Sequence, residues 1–179
     1  MKENLKVLMI NGSPKSNGNT SIALREMEKV FKENGVDVET VTVGNKAIRG
    51  CVACNSCYEK GKCVFDDIVN ELAPKFEEAD GLVVASPVYY ASANATLVAC
   101  LDRLFYSSHF DKTMKVGASI AVPDEADVRR HLTNSINILP YPECRLHPAS
   151  TGTVFTEELR VKPKRTKKAS RPCAPLLPI

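Results

Sequence analysis

The chain has 179 residues, 44% of them hydrophobic, with 24 Lys/Arg against 21 Asp/Glu for a net charge of +3. This length and apolar content suit one domain with a sizeable core and exclude a disordered chain. With no apolar run of transmembrane length and no signal-peptide pattern, the expected location is cytoplasmic, and the seven cysteines are expected as thiols or metal ligands rather than disulfides.

The first strand is LKVLMING (Leu5–Gly12), a short apolar run ending in Gly, as in a strand buried on both faces. Asn19, Thr20 and Ser21 offer N-caps for a helix through Ile22, Leu24, Met27, Val30 and Phe31, closing at Asn34–Gly35. VDVETVTV (Val36–Val43) alternates as a second strand, and a Gly- and Cys-rich loop follows. Asp66–Ala79 reads as a helix with acidic residues at its start, broken or kinked at Pro74. GLVVAS (Gly81–Ser86) is a third buried strand. ANATLVACLDRLFYS is a helix with Leu97, Leu101, Leu104 and Phe105 on one stripe and Cys100 in the core. MKVGASIAV (Met114–Val122) is a fourth strand. Strands alternating with helices predict an α/β fold with a parallel sheet.

NGSPKSNGNTS (Asn11–Ser21) joins the first strand to the first helix, where parallel α/β sheets bind ligands. Gly12 and Gly18 allow close backbone approach to an anion. Hydroxyls come from Ser13, Ser16, Thr20 and Ser21, a charge from Lys15, and free amides from the helix N-terminus. The spacing matches neither the ATP P-loop nor the dinucleotide fingerprint. The bland alternative is a polar turn that only caps a helix.

GSPKSNGNT closely resembles the FMN-phosphate loop of the flavodoxin-like NADPH-dependent FMN reductases and iron–sulfur flavoproteins. SPVYYASANA (Ser86–Ala95) looks like the loop that packs on the isoalloxazine ring in the same family, and LDR (Leu101–Arg103) fits too; the resemblance covers about residues 5–121. It implies a flavodoxin-like three-layer sandwich with strand order 2-1-3-4-5 and FMN at the strand ends. The phosphate would lie on Ser13, Lys15, Gly18, Asn19, Thr20 and Ser21, and the ring beside Pro87, Val88, Tyr89 and Tyr90. For one of the two tyrosines, ordinary core packing is an equal alternative.

GCVACNSCYEKGKC places Cys51, Cys54, Cys57 and Cys63 in a C-x2-C-x2-C-x5-C run. Four thiolates so close are a competent set for a [4Fe–4S] cluster; a tetrahedral zinc site is less natural with this spacing. The run resembles the compact cluster motif of iron–sulfur flavoproteins. Thiols with a structural or redox role and no cluster remain the alternative. His109, His131 and His147 have no neighbouring ligand pattern and receive no role.

The resemblance implies an NAD(P)H-dependent flavin or quinone reductase that accepts hydride on FMN and passes electrons to a small-molecule or protein acceptor. It also implies a homodimer. No side chain is assigned as a catalytic acid or base, since a flavin carries the chemistry. A non-enzymatic electron carrier is the rival reading. A remoter one is nucleic-acid binding through the basic run RVKPKRTKKASR (Arg160–Arg171), which lacks interleaved aromatics and a nucleic-acid fold. No membrane partner is expected.

The chain changes character after Ala121. Residues 122–179 hold ten Lys/Arg against six Asp/Glu and eight of the eleven prolines, with no sustained period. A single-base shift near Val122 would account for this. Each intended codon would then be the third base of one residue and the first two of the next. So decoded, Pro123–Asn134 permits RRGGCTATFDE, Asn134–Arg145 permits LNKYFTISRMP and Arg145–Glu157 permits VASSQYWNSVHGR, all resembling the family's continuation. Residues 122–179 are thus expected to be an irregular or disordered tail, with the fifth strand missing or irregular. The basic run becomes an acidic helix read out of frame. The coding DNA tests this directly: the offset frame is expected to spell LNKYF within codons 134–145, and codons that cannot do so exclude the shift.

Overall fold

The computed structural model describes residues 4–90 and 92–122. The expectations for a fifth strand and for the tail fall outside the described residues. The strands are β1 (Lys6–Asn11), β2 (Asp37–Thr42), β3 (Gly81–Tyr89), β4 (Ser92–Ala93) and β5 (Val116–Val122). The helices are α1 (Asn19–Glu33), α2 (Ser56–Lys60), α3 (Ile68–Glu78) and α4 (Ala95–Ser107).

β1 lies at the centre. It pairs in parallel with β2, Val7 facing Val38, and with β3, Val7 facing Gly81. β3 pairs in parallel with β5, Gly81 facing Val116. The order β2-β1-β3-β5 is the predicted 2-1-3-4 arrangement of the four long strands. The apolar runs of β1 and β3 follow from this position: strands flanked by neighbours and covered on both faces have no polar side to show. Leu8, Ile10, Leu82 and Val84 face α3 and α4, where they pack with Leu72, Phe76, Leu97, Cys100 and Leu104. Met9, Val83 and Ala85 face the other way, against Leu24, Met27 and Phe31 of α1. Helix layers on both faces make the three-layer sandwich that the sequence predicted.

Four local expectations change. α1 is capped by Gly18 in extended backbone, with no side-chain cap, so Asn19, Thr20 and Ser21 form its first turn rather than its cap. Pro74 does not break α3, which runs on to Glu78. Pro74 sits on the exposed face, so the carbonyl its missing N–H leaves unpaired can be satisfied by water. The Cys loop contains a short helix, α2. A small antiparallel hairpin, β3–β4, follows Pro87, with Val88 opposite Ala93.

Gly44, just past β2, touches the turn after β1. A Cβ there would stand 2.2 Å from the Gly12 carbonyl oxygen and 2.4 Å from the Ser13 carbonyl carbon, whereas one at Gly50 meets nothing within 4 Å. Gly44→Ala is therefore expected to lower stability by roughly 1–3 kcal/mol, as overpacking against backbone does. Gly50→Ala is expected to stay within about 0.5 kcal/mol. Urea unfolding of both variants checks this, and equal midpoints would refute the close approach.

Candidate functional site

The loop Gly12–Gly18 is built around three side chains, those of Asn11, Ser13 and Ser21, and one carbonyl. Asn11, buried at the end of β1, donates through Nδ2 to Ser21 Oγ (3.0 Å) and accepts through Oδ1 from the Ser13 amide (2.9 Å). The Lys15 carbonyl then accepts from Ser13 Oγ (3.3 Å), Ser21 Oγ (3.0 Å) and the Gly18 amide (3.3 Å). The first intrahelical bond of α1 runs from the Ile22 amide to the Gly18 carbonyl, so the amides of Asn19, Thr20 and Ser21 have no intrahelical acceptor. An anion placed there meets open N–H groups and the positive end of the helix dipole.

The predicted residues are therefore together, but with divided roles. The hydroxyls of Ser13 and Ser21 are spent on bracing the loop. Gly12 answers to packing rather than to a ligand: its Cβ would lie 2.7 Å from Leu97 Cδ2. The sequence reading missed Asn11, whose only signal was a polar residue closing an apolar strand. It also missed Arg25, exposed on α1, whose Nη1 reaches the Ser16 carbonyl and Asn17 Oδ1 at 3.5 Å.

The second loop leaves the sheet at the same end, since the Gly12 amide donates to the Ala85 carbonyl (2.7 Å). Ser86 Oγ donates to the Pro87 carbonyl (2.7 Å) and accepts from the Asn94 amide (2.9 Å). Asn94 caps α4, its Oδ1 accepting from the Thr96 (2.8 Å) and Leu97 (3.4 Å) amides. Pro87 and Val88 are half-buried. Neither tyrosine packs in the core: Tyr89 is 48% exposed and Tyr90 fully so, at φ +48°. A bulky residue at positive φ carries strain and marks a position of functional interest.

All four cysteines of the run line one shallow, open concavity, together with Val64, Phe65, Arg103, Tyr106 and Ser107. Ala53 (φ +52°) and Asn55 (φ +58°) bend the loop sharply between them. Arg103 holds its floor. This guanidinium is 1% exposed and grips Asp67 through two bonds of 2.6 and 2.9 Å. It also donates to Cys63 Sγ (3.2 Å) and to the carbonyls of Arg49 and Phe65 (3.3 Å each). Burial disfavours its charge, but the bonds to Asp67 and Cys63 more than offset this and leave its pKa above the ordinary value. Asn70 fixes Cys63 from behind, accepting from its amide (3.0 Å) and donating to its carbonyl (3.1 Å). The Cys57 thiol donates to the Tyr106 carbonyl (3.8 Å).

Among the described residues, no three His, Cys, Asp or Glu side chains converge as a ready ligand set for a metal ion. The thiols differ in character. Cys54 is pulled below the ordinary thiol range by the Ser56 amide and hydroxyl, and burial pushes Cys57 up. Burial raises Cys100, which lies in the core as expected, to about 12.

A parallel sheet of order β2-β1-β3-β5 with helices on both faces, a braced loop after β1 and a second loop after β3 define a flavodoxin-like fold. The family model for NADPH-dependent FMN reductase matches residues 5–158, and the chain belongs to that family. That match runs past residue 121, beyond the motifs that carry the resemblance. An iron–sulfur flavoprotein of Methanocaldococcus jannaschii is 38% identical over 119 residues, 66% of this chain and 62% of that protein. One of Methanosarcina thermophila is 36% identical over 120 residues, 66% of this chain and 63% of the relative. The matched part is thus under two thirds of either relative's length. Among solved structures, an NADH:FMN oxidoreductase in its apo form aligns with TM-score 0.53 and 22% identity, over 79% of this chain and 68% of that one. An NAD(P)H:quinone oxidoreductase from Methanothermobacter marburgensis gives 0.55 and 14%, over 75% and 72%. At these identities the likeness is one of fold.

The thiol differences predict an order of alkylation in metal-free protein. At about pH 8 Cys54 holds the larger thiolate fraction and is expected to react before Cys57, with Cys100 inert until the protein unfolds. Timed iodoacetamide labelling with peptide mass mapping reads this. Cys100 labelling as fast as Cys54 would contradict the burial described.

Proposed function

We propose that the chain is an FMN-dependent oxidoreductase, taking reducing equivalents from NAD(P)H and delivering them to a small-molecule or protein acceptor. The observation that carries this is the braced loop opening onto the amides of Asn19, Thr20 and Ser21. Its own hydrogen bonds brace it, so little of the binding energy goes into arranging it. In this reading Ser13, Lys15, Gly18, Asn19, Thr20 and Ser21 surround the FMN phosphate. Pro87, Val88, Tyr89 and Tyr90 flank the ring, with the two exposed tyrosines offering aromatic faces. Bound FMN supplies two-electron acceptance and one-electron release; this chain's residues bind, orient and shield it. Cys51, Cys54, Cys57 and Cys63 would hold an iron–sulfur cluster. We place the protein in the cytoplasm as a homodimer; among the described residues no helix is long and apolar enough to cross a membrane.

The concavity favours one second reading, a flavin and cluster protein that carries electrons without turning over a nicotinamide. The basic run behind a nucleic-acid role lies outside the described residues. A visible spectrum of the purified protein, repeated after NADPH addition, tests both readings. Yellow colour bleached by NADPH is expected. Colour bleached by dithionite but not by NADPH selects the carrier, and a colourless protein that does not take up added FMN sinks both.

A further inference from the structure

The loop after β1 carries positive charge that its own chain does not compensate. α1 starts on Gly18 without a side-chain cap and has no acidic residue in its first turn, where Asp or Glu ordinarily meets the helix dipole. No Asp or Glu occurs from Asn4 to Arg25, nor in the second loop from Ser86 to Ala95. From Gly12 to Arg25 the charged side chains are those of Lys15 and Arg25 alone.

Arg25 also differs from the other cations of α1. Lys29 pairs with Glu26 (2.7 Å) and Lys32 with Glu28 (2.6 Å), whereas Arg25 has no ion-pair partner among the described residues. Its side chain runs back toward the helix start, and Nη1 reaches the Ser16 carbonyl and Asn17 Oδ1, each at 3.5 Å. Roughly 9 Å of helix separates Arg25 from Asn19. By touching residues that precede the helix, the guanidinium comes level with the open amides of Asn19, Thr20 and Ser21. Both of its bonds are long and solvent-exposed, so a charged oxygen competes well for the same donor.

We propose that Arg25 is a specificity-determining residue for the flavin phosphate, its charge selecting a phosphorylated flavin over an unphosphorylated one. This rests on the reading of the loop as the FMN-phosphate site, and it adds what sets selectivity there. The open amides can hydrogen-bond to a phosphate or to the neutral hydroxyl that riboflavin carries in its place. A positive charge at the rim rewards only the phosphate.

The test uses the full chain, freed of flavin and titrated separately with FMN and with riboflavin, binding being read by quenching of flavin fluorescence. Wild type, Arg25→Gln, Arg25→Lys and Lys29→Gln are compared at low salt and at about 1 M salt. Wild type should bind FMN more tightly than riboflavin. At low salt Arg25→Gln should lose roughly three- to tenfold in FMN affinity, with riboflavin affinity unchanged. The loss should shrink at high salt, because an exposed charge is screened. Arg25→Lys keeps the charge and should stay near wild type, as should Lys29→Gln. A wild type that binds neither flavin removes the reading of the loop, and the proposal with it. A wild type that binds FMN no better than Arg25→Gln does leaves that reading standing and overturns the proposal. So does an Arg25→Gln that loses both flavins equally, because Arg25 then supports the shape of the loop and not the phosphate. An Arg25→Lys as weak as Arg25→Gln, or a Lys29→Gln as weak, also overturns it, since the charge at this one position is then not what selects.

Discussion

The ion pair of half-buried Asp67 and buried Arg103 ties together α3, α4 and the Cys loop. Asp67 Oδ1 accepts the Val69 amide (3.1 Å), capping α3, while both its oxygens grip Arg103 of α4. Arg103 in turn fixes the Cys loop through Cys63 and the Arg49 carbonyl. Its guanidinium lies over the Phe65 ring (5.1 Å), as does that of Arg49 (4.8 Å). A pair with one partner fully buried is weak evidence for stability, because desolvation offsets much of the attraction. Its value is geometric. Removing one partner strands the other, so the two helices and the loop are held to a single arrangement.

The two loops after β1 and β3 are ordered by a different principle. Each spends side-chain polarity on its own backbone, through Asn11, Ser13 and Ser21 in one and Ser86 and Asn94 in the other. Close contact does the rest: Gly12 and Gly44 sit where no Cβ fits. The result is backbone amides held open at the carboxyl end of the sheet. The Cys loop has a slighter internal scaffold, in which the Ala53 amide donates to Cys51 Sγ (3.4 Å). It has two non-glycine residues in left-handed backbone and is held from outside by α4 and Asn70.

The same difference explains what the sequence revealed. β1, β3 and α4 were legible because strands covered on both faces and a helix with a one-sided stripe leave strong patterns. The residues of the loop after β1 were legible as a polar, glycine-containing set. Its division of labour was not, because whether Ser21 faces an anion or the Lys15 carbonyl depends on Asn11, ten positions away. α2 is five residues long, too short for a period, and opens and closes on left-handed Asn55 and Gly61. Pro74 misled because only the fold reveals that it faces water. Arg103 did leave a trace. It falls on the buried stripe of α4 with Leu97, Cys100, Leu104 and Ser107, where a cation without a partner would be untenable. Its partner Asp67 is 36 residues away, and no local pattern points to it.

That pairing also decides what kind of influence reaches the sulfurs. An unpaired guanidinium beside four thiolates would act chiefly as a net positive charge. With Asp67 at 2.6 and 2.9 Å, the pair is close to neutral as a unit. What remains near Cys63 is a directed N–H at 3.2 Å, whose effect is short-ranged. α4 therefore meets the Cys loop through one oriented donor to a sulfur. Its other end, at Asn94, anchors the loop that carries Tyr89 and Tyr90. Eight residues, roughly 12 Å of helix, separate the start of α4 from Arg103. One rigid element thus fixes the position of both candidate redox sites, while the local character of that donor keeps the electrostatics of one from spreading to the other.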